Sequence, residues 1–482
     1  MMMRPVANTI AKLVIALGAM MALPALADWW EGDRHWQVFA VLGCAVALLG
    51  GLVVIATRGA ADQGMSIRQG FLLTAGTWLV LPGFGALPFM LGEPGLDLTD
   101  AVFESMSGMT TTGTTVIPAL DGLPAGVNLW RAMLQWMGGL GIVVVAVAFL
   151  PAMRVGGMQF FRSEGFDTGG KDLPRAGDIA GEMTRLYILM TVACMLVFNM
   201  LGMAPFDAVV FALATCSTGG YANYDASFGP YAGPAQYAAA LFMLLATLPF
   251  VRMAQALRGE LRPILRDPQV LGYLRWVLYA VLVILAYRLF YLGEGDLPAM
   301  LRETVFNTVS IFSGTGFTSS DVTTWGHLPF AVLIVVGLVG GCTGSTGCSV
   351  KVFRYQVLAQ AVRAQIRRMH SPHRVHPVRM DGRALTRDVI DSVMGFFTMF
   401  ILTLGVLIVG LALTGLHPLT ALTGAWTAIA NIGPVWGPEI TATGAVTRLP
   451  EAAKWLMVVG MYLGRLELIA VFVLLMPRFW RG

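Results

Sequence analysis

The sequence predicts an all-α polytopic membrane protein: four pseudo-symmetric copies of one helix–short helix–helix unit, preceded by two extra helices. Three observations carry this prediction. First, of 482 residues 56% are hydrophobic and only 12% charged, against about 25% charged in soluble domains. Second, many uncharged windows approach the roughly 20 residues that span the hydrocarbon of a bilayer. They do not alternate apolar with polar, and open strands would leave their backbone unsatisfied in lipid, so the spans are helices. Third, four apolar segments too short to cross each lead into a small polar loop: Thr110 to Thr115, Ser217 to Tyr221, Ser313 to Asp321 and Ala430 to Pro434.

Residues 1–67 hold the two extra helices. The first, within residues 1–27, admits two readings. Arg4 and Lys12 precede an apolar run, and Ala25-Leu26-Ala27 before Asp28 has the form of a signal-peptidase site. The other reading is a retained span, and charge bias fits both. The second helix runs from about Trp36 to Ala56, followed by a basic loop, Arg58 to Arg68.

The first repeat, 68–180, has an outer helix near 69–92, a re-entrant segment Thr99 to Met109 with Thr99 as its cap, and a second helix from Asn128 to Leu150. The second, 181–265, has helices near 184–203 and 235–256 around the short segment Pro205 to Cys216. The third, 266–385, has an outer helix near 271–292, a short segment starting near Pro298, and a second helix from Leu328. The fourth, 386–482, has helices near 388–414 and 452–476 around Pro418 to Ala430. Proline is tolerated in a first helical turn, where its missing N–H has no partner. The loop glycines Gly113, Gly220, Gly316 and Gly433 stand 107, 96 and 117 residues apart, one unit each time.

Charge sets the orientation. Arginines crowd into 154–185, 252–275 and 351–387, which the positive-inside rule makes cytoplasmic. This topology leaves seven of the 32 Lys and Arg outside the cytoplasmic side: Arg34, Arg131, Arg288, Arg302, Arg448, Lys454 and Arg465. The five cysteines and six histidines show no metal-ligand or disulfide spacing. No cofactor and no nucleic-acid partner are expected.

A short helix that stops inside the membrane must point its last carbonyls at water or protein. Entering from outside, it presents a partially negative C-terminus inward, which favours a cation. Glycine lets the returning strand turn its carbonyls to the axis with no side chain in the lumen. Four helix–pore-helix–helix repeats around one ion pathway thus make a ring of oxygens that can replace a cation's hydration shell. A carboxylate follows each loop glycine: Asp121, Asp225, Asp321 and Glu439. These carboxylates either raise the cation concentration at an outer mouth or are ordinary residues of solvated loops.

The second helix of repeat three is interrupted by Gly340-Gly341-Cys342-Thr343-Gly344-Ser345-Thr346-Gly347-Cys348-Ser349. That composition does not sustain a regular helix, and such backbone at membrane depth must line a cavity. Its position, on the cytoplasmic side of the third loop, suggests a gate. Arg465, central in the last span, needs a partner there. Glu467, two positions on, does not share its helix face, so the expected partner is a carbonyl or hydroxyl of the 340–349 loop.

These stretches resemble TrkH-type subunits of the Trk/Ktr/HKT potassium-transporter superfamily. The resemblance rests on Phe103 to Met109 leading into Thr110 to Gly113, Leu129-Trp130-Arg131 through Gln135-Trp136-Met137-Gly138-Gly139, Gly340 to Gly347 followed by Lys351, and Gly464-Arg465-Leu466-Glu467. It covers the whole chain, and its two extra N-terminal spans favour retention of residues 1–27. It implies potassium uptake through a filter with one glycine per repeat. By position the filter comprises Thr111, Thr112, Gly113, Thr218, Gly219, Gly220, Gly314, Thr315, Gly316, Asn431, Ile432 and Gly433. The implied gate is Gly340 to Gly347 with Lys351 and Arg465. Also implied are a homodimer in the lipid of a bacterial inner membrane and a cytoplasmic TrkA-like ring that binds nucleotide. Channel-like flux and symport both remain open. Two departures stand out: Val435-Trp436 follow Gly433-Pro434 where another glycine is usual, and Cys348 replaces a more usual glycine.

Two other readings compete. A sodium-coupled broken-helix carrier would show two similar units rather than four. A membrane hydrolase is suggested only superficially by Thr343-Gly344-Ser345-Thr346-Gly347. Thr343 replaces the first glycine of a nucleophile turn, and no histidine sits in a neighbouring span.

Overall fold

The computed structural model describes residues 3–59, 66–148, 176–293, 295–371, 378–380 and 383–481. Much of the expected basic stretch at 154–185 and the centre of the Arg58–Arg68 loop lie outside them. Helices α1 (Met3–Met20) and α2 (Ala22–Glu31) form one apolar stretch of 29 residues. It packs on α3 (Trp36–Ala56) through facing glycines: a methyl on Gly18 would sit 2.7 Å from the Gly43 carbonyl oxygen, and one on Gly43 2.8 Å from that of Gly18. Small residues are what allow two helix backbones to approach so closely. The Ala25-Leu26-Ala27 stretch lies inside α2. Asp28, fully buried, ties this pair to the first repeat by accepting from the Gly126 backbone N–H at 2.5 Å.

In repeat one the outer helix is α4 (Ile67–Gly85) with α5 (Leu87–Leu91), the short helix is α6 (Leu98–Met109) and the second helix is α7 (Ala125–Ala148). The cap of α6 is Asp97, not Thr99. Asp97 has extended backbone and its carboxylate accepts from Asp100 N at 2.8 Å, while Thr99 already lies inside the first turn.

Repeat two has α8 (Ala176–Met200), α9 (Pro205–Cys216), and then two helices where the sequence suggests one: α10 (Pro234–Ala246) and α11 (Phe250–Leu257), bent by 104°. Pro249 explains the break, since it lacks an N–H and disfavours helix in the residue before it. Thr247 Oγ1 also bonds back to the Leu244 carbonyl at 2.7 Å.

A short α12 (Arg262–Arg266) joins repeat two to repeat three, which has α13 (Pro268–Tyr287) extended by a π turn at Arg288–Leu292, α14 (Leu297–Ser313), α15 (His327–Val339), the interruption, and α16 (Val352–His370). A two-stranded hairpin, β1 (Arg379–Met380) with β2 (Arg383–Ala384), precedes repeat four.

Repeat four has α17 (Arg387–Leu413), α18 (Pro418–Ala430), α19 (Glu451–Arg465), α20 (Ile469–Leu475) and a terminal α21 (Pro477–Arg481). The last span is therefore not continuous either: α19 and α20 meet at 109°. Glu467 (φ 60°) and Leu468 (φ 31°) end the helix without help from glycine or proline.

Among the described residues six helices are long and apolar enough to cross a membrane, or eight if each bent pair is one span. The repeats close on themselves. The second helix of each packs on the short helix of the next: α7 on α9, α10 on α14, α15 on α18, and α19 back on α6. This cyclic order makes four sequential units one assembly around a common axis.

Candidate ion pathway

The four polar loops are built by one local rule. Each short helix ends in a residue with left-handed backbone, Thr111 (φ 54°), Thr218 (φ 53°), Gly314 (φ 79°) or Asn431 (φ 52°). Two residues later comes a glycine with positive φ, at 113, 220, 316 and 433. The intervening N–H reaches back five residues: Thr112 N to Ser107 O (2.8 Å), Gly219 N to Ala214 O (2.8 Å), Thr315 N to Ser310 O (2.9 Å) and Ile432 N to Thr427 O (3.3 Å). This is the long bond of a Schellman ending. Three of the four positions use a non-glycine residue, two of them β-branched threonine, for which the left-handed region is strained.

The loops meet in a ring. A methyl on Gly113 would strike the Gly219 carbonyl oxygen, one on Gly220 that of Thr315, and one on Gly316 that of Ile432. A methyl on Gly433 would come within 2.9 Å of Thr112 O, which closes the circle. Thr114 Oγ1 donates to Gly433 O at 2.6 Å across the same seam. All four glycines line one cavity of about 760 Å³. Of the twelve residues singled out from the sequence, Gly113, Gly220, Gly316 and Gly433 line this cavity, and Thr112, Gly219, Thr315 and Ile432 supply the carbonyls these glycines face.

The 340–349 segment is buried throughout and is held at both ends of its turn by the broken helix of repeat two. Cys342 N donates to Thr247 O (2.9 Å), Thr346 N to Ala246 O (3.2 Å) and Phe250 N to Gly344 O (3.0 Å). These are the carbonyls and the N–H that the bend at Pro249 frees. Cys348 brings the segment against the ring: its sulfur is 3.7 Å from Thr111 Oγ1. Arg465 meets it as expected, with Nη1 donating to Thr346 O (3.3 Å) and to Cys348 Sγ, and Nη2 to Gly138 O (3.0 Å). Lys351 follows with φ 77° and a buried ammonium.

With this arrangement in view, residues 35–275 and 269–481 match the TrkH family, described as cation transport protein. The chain belongs to the TrkH family. It is 40% identical, over 99% of this chain and 97% of the relative, to the Trk system potassium uptake protein TrkI of Halomonas elongata. It is 33% identical to the Trk system potassium uptake protein TrkH of Escherichia coli K12 over 99% of both. The crystal structure of the potassium transporter TrkH from Vibrio parahaemolyticus is similar over 100% of both chains, with a TM-score of 0.92 and 30% identity.

The two residues that stood out in the sequence, Trp436 and Cys348, are both held by packing and polar contacts. Trp436 turns its ring onto Phe330 (5.1 Å) and Trp426 (5.7 Å), and its N and O both bond to Thr423 Oγ1. Cys348 places its sulfur where the Arg465 guanidinium holds it. The Ser345 hydroxyl donates to Cys342 O at 2.7 Å, a turn bond rather than an activated nucleophile.

The outer carboxylates divide. Asp225 and Asp321 line the vestibule. Asp121 accepts from Asp225 N (3.1 Å), Asp225 from Leu120 N (2.8 Å), and Asp321 caps the following turn at Thr323 N (2.9 Å). Glu439 accepts from His417 N (2.8 Å) and from Thr420 Oγ1, fixing the start of α18. Partial burial pushes its carboxyl up, but these hydrogen bonds outweigh that and hold it below the usual range.

Sequence reasoning missed a matched pair of supports behind strands one and three. Ser107 Oγ donates to Thr114 O (2.6 Å), and Ser310 Oγ to Phe317 O (2.7 Å), at the same seven-residue offset. Repeating polar residues at matched places in the short helices were the available signal. It also missed Arg354, counted with the cytoplasmic charges. Arg354 is buried, stacks on Phe396 at 3.7 Å and pairs with Glu467.

Proposed function

We propose that this chain is the ion-conducting subunit of a Trk-type potassium uptake system in a bacterial inner membrane. The observation that carries the reading is the closed ring in which each loop glycine lies against a carbonyl of the next strand. Cations collect in the vestibule beside Asp225 and Asp321 and exchange water for backbone oxygens at the ring. They then meet the 340–349 segment, which together with Lys351 and Arg465 acts as the gate. Arg465 holds the segment through Thr346 O and Cys348 Sγ, and Lys351 ties its end to Glu467, so the segment stays across the path until these contacts are released. The chain works as a homodimer on a cytoplasmic TrkA-like ring, and nucleotide on that ring shifts the segment. The relatives' names support the potassium assignment. The two breaks support the gate, because the one at Pro249 hands bonding groups to the segment and the one at Glu467 pairs with Lys351 at its end.

The test is cation uptake into liposomes holding the purified protein, comparing rubidium with sodium. The expected result is rubidium flux well above sodium flux, abolished by Gly316→Asp. Equal fluxes of the two ions would remove the potassium assignment. If the resting protein passes neither ion, Arg465→Ala should release rubidium flux, and continued silence would count against the pathway.

A further inference from the structure

A buried ion pair stands behind the ring at one seam. Glu104 on α6 and Arg131 on α7 are 0% and 1% exposed, with Arg131 Nε donating to Glu104 Oε1 at 2.8 Å. Each partner holds a different strand. The Glu104 carboxylate accepts from Val116 N (2.9 Å) and from Thr115 Oγ1 (3.0 Å), on the outward limb of strand one. Arg131 Nη1 donates to Ala222 O (3.0 Å), on the outward limb of strand two, and its guanidinium lies 4.1 Å over the Tyr221 ring. Tyr221 closes the circuit by donating through its hydroxyl to the Glu104 backbone carbonyl at 2.8 Å. One turn along the same face of α7, Gln135 Nε2 donates to Gly219 O (2.6 Å) and Gln135 Oε1 accepts from Tyr221 N (3.0 Å). Arg131 itself reaches the vestibule wall, where its Nη2 has no partner among the described residues.

We infer that Glu104 and Arg131 are positioning residues that set ion preference by fixing the spacing of strands one and two. The inference rests on the pathway reading above. A ring of carbonyls discriminates between cations by the number and placement of its oxygens, and this pair is the rigid link between two of its four sides. A buried pair is not needed for stability, since an apolar replacement of similar volume often folds as well or better. Its contribution here is placement. At the matching offset in repeat three the support is a neutral amide: Asn307 Oδ1 accepts from Ser319 N at 3.1 Å.

The experiment measures the rubidium-to-sodium flux ratio of the full chain in liposomes for the parent, Glu104→Gln, and the double variant Glu104→Gln/Arg131→Gln. The double variant strands no charge and keeps the protein foldable if Glu104→Gln does not. The expected result is a ratio at least tenfold below the parent's in the double variant, with sodium flux retained. A ratio within twofold of the parent's, whether total flux is kept or lost, would assign the pair a purely structural role and overturn the inference. A parent ratio near one would overturn the potassium reading and this inference with it, so the two failures are distinguishable.

Discussion

Lys351 Nζ lies 3.1 Å from Oε1 of Glu467, a contact between the end of the interrupted segment and the break in the last span. The other carboxylate oxygen pairs with Arg354 on α16. One buried carboxylate therefore holds two buried cations and joins the segment to α19 and α20. Removing one partner of such a cluster typically costs about 3–5 kcal/mol, because the remaining charges are left buried without compensation. Glu467→Gln should lower the unfolding temperature markedly in detergent and raise resting rubidium flux. An unfolding temperature equal to the parent's would show that the cluster contributes no net stability.

The ring predicts a graded response to alanine. At Gly113, Gly220 and Gly316 the added methyl would overlap a backbone oxygen of the next strand, and the positive φ adds roughly 1–2 kcal/mol. Gly433 is looser, with its nearest contact at 2.9 Å from Thr112 O. Uptake should be abolished by alanine at the first three sites and reduced at Gly433. Rubidium uptake by the four variants at matched protein content checks this order, and a uniform loss would reject it.

The fold was legible because its signals are local. Apolar length gave the spans, and glycine beside hydroxyl residues, or beside Asn431 in the fourth case, after short apolar segments gave the four loops. The bounds Pro205–Cys216 and Pro418–Ala430 follow from proline at the first turn and a polar loop at the end. The break at Pro249 had a local signal in that proline. The break at Glu467 had none, because the distant cations Lys351 and Arg354 draw the carboxylate away. Supports such as Asn307 to Ser319 and Arg131 to Ala222 join residues whose types are unremarkable and whose meeting depends on tertiary closure.

Arg465 and Cys348 offer a test of the gate that separates charge from packing. Arg465→Ala removes the contacts to Thr346 O, Cys348 Sγ and Gly138 O together. Cys348→Gly removes only the sulfur, and with it the approach to Thr111. Resting rubidium flux without a regulatory partner should rise in both, more in Arg465→Ala. If the cysteine variant leaks more than the arginine variant, the guanidinium is not the main restraint.

Glu439 makes the start of α18 sensitive to external pH. Its folded carboxyl titrates below the ordinary value of about 4.3 because Thr420 and the His417 N–H hydrogen-bond the charged form. A lowered folded value means the stabilisation is full above the ordinary value and is lost as pH falls through the lowered one. The parent should therefore unfold at a higher temperature than Glu439→Gln at pH 7, and the gap should close as the pH is taken toward 3. Other carboxylates titrate over the same range, but they are common to both proteins and cancel in the difference. A gap of the same size at pH 3 and pH 7 would mean that the stabilisation comes from the shape of the side chain and not from its charge.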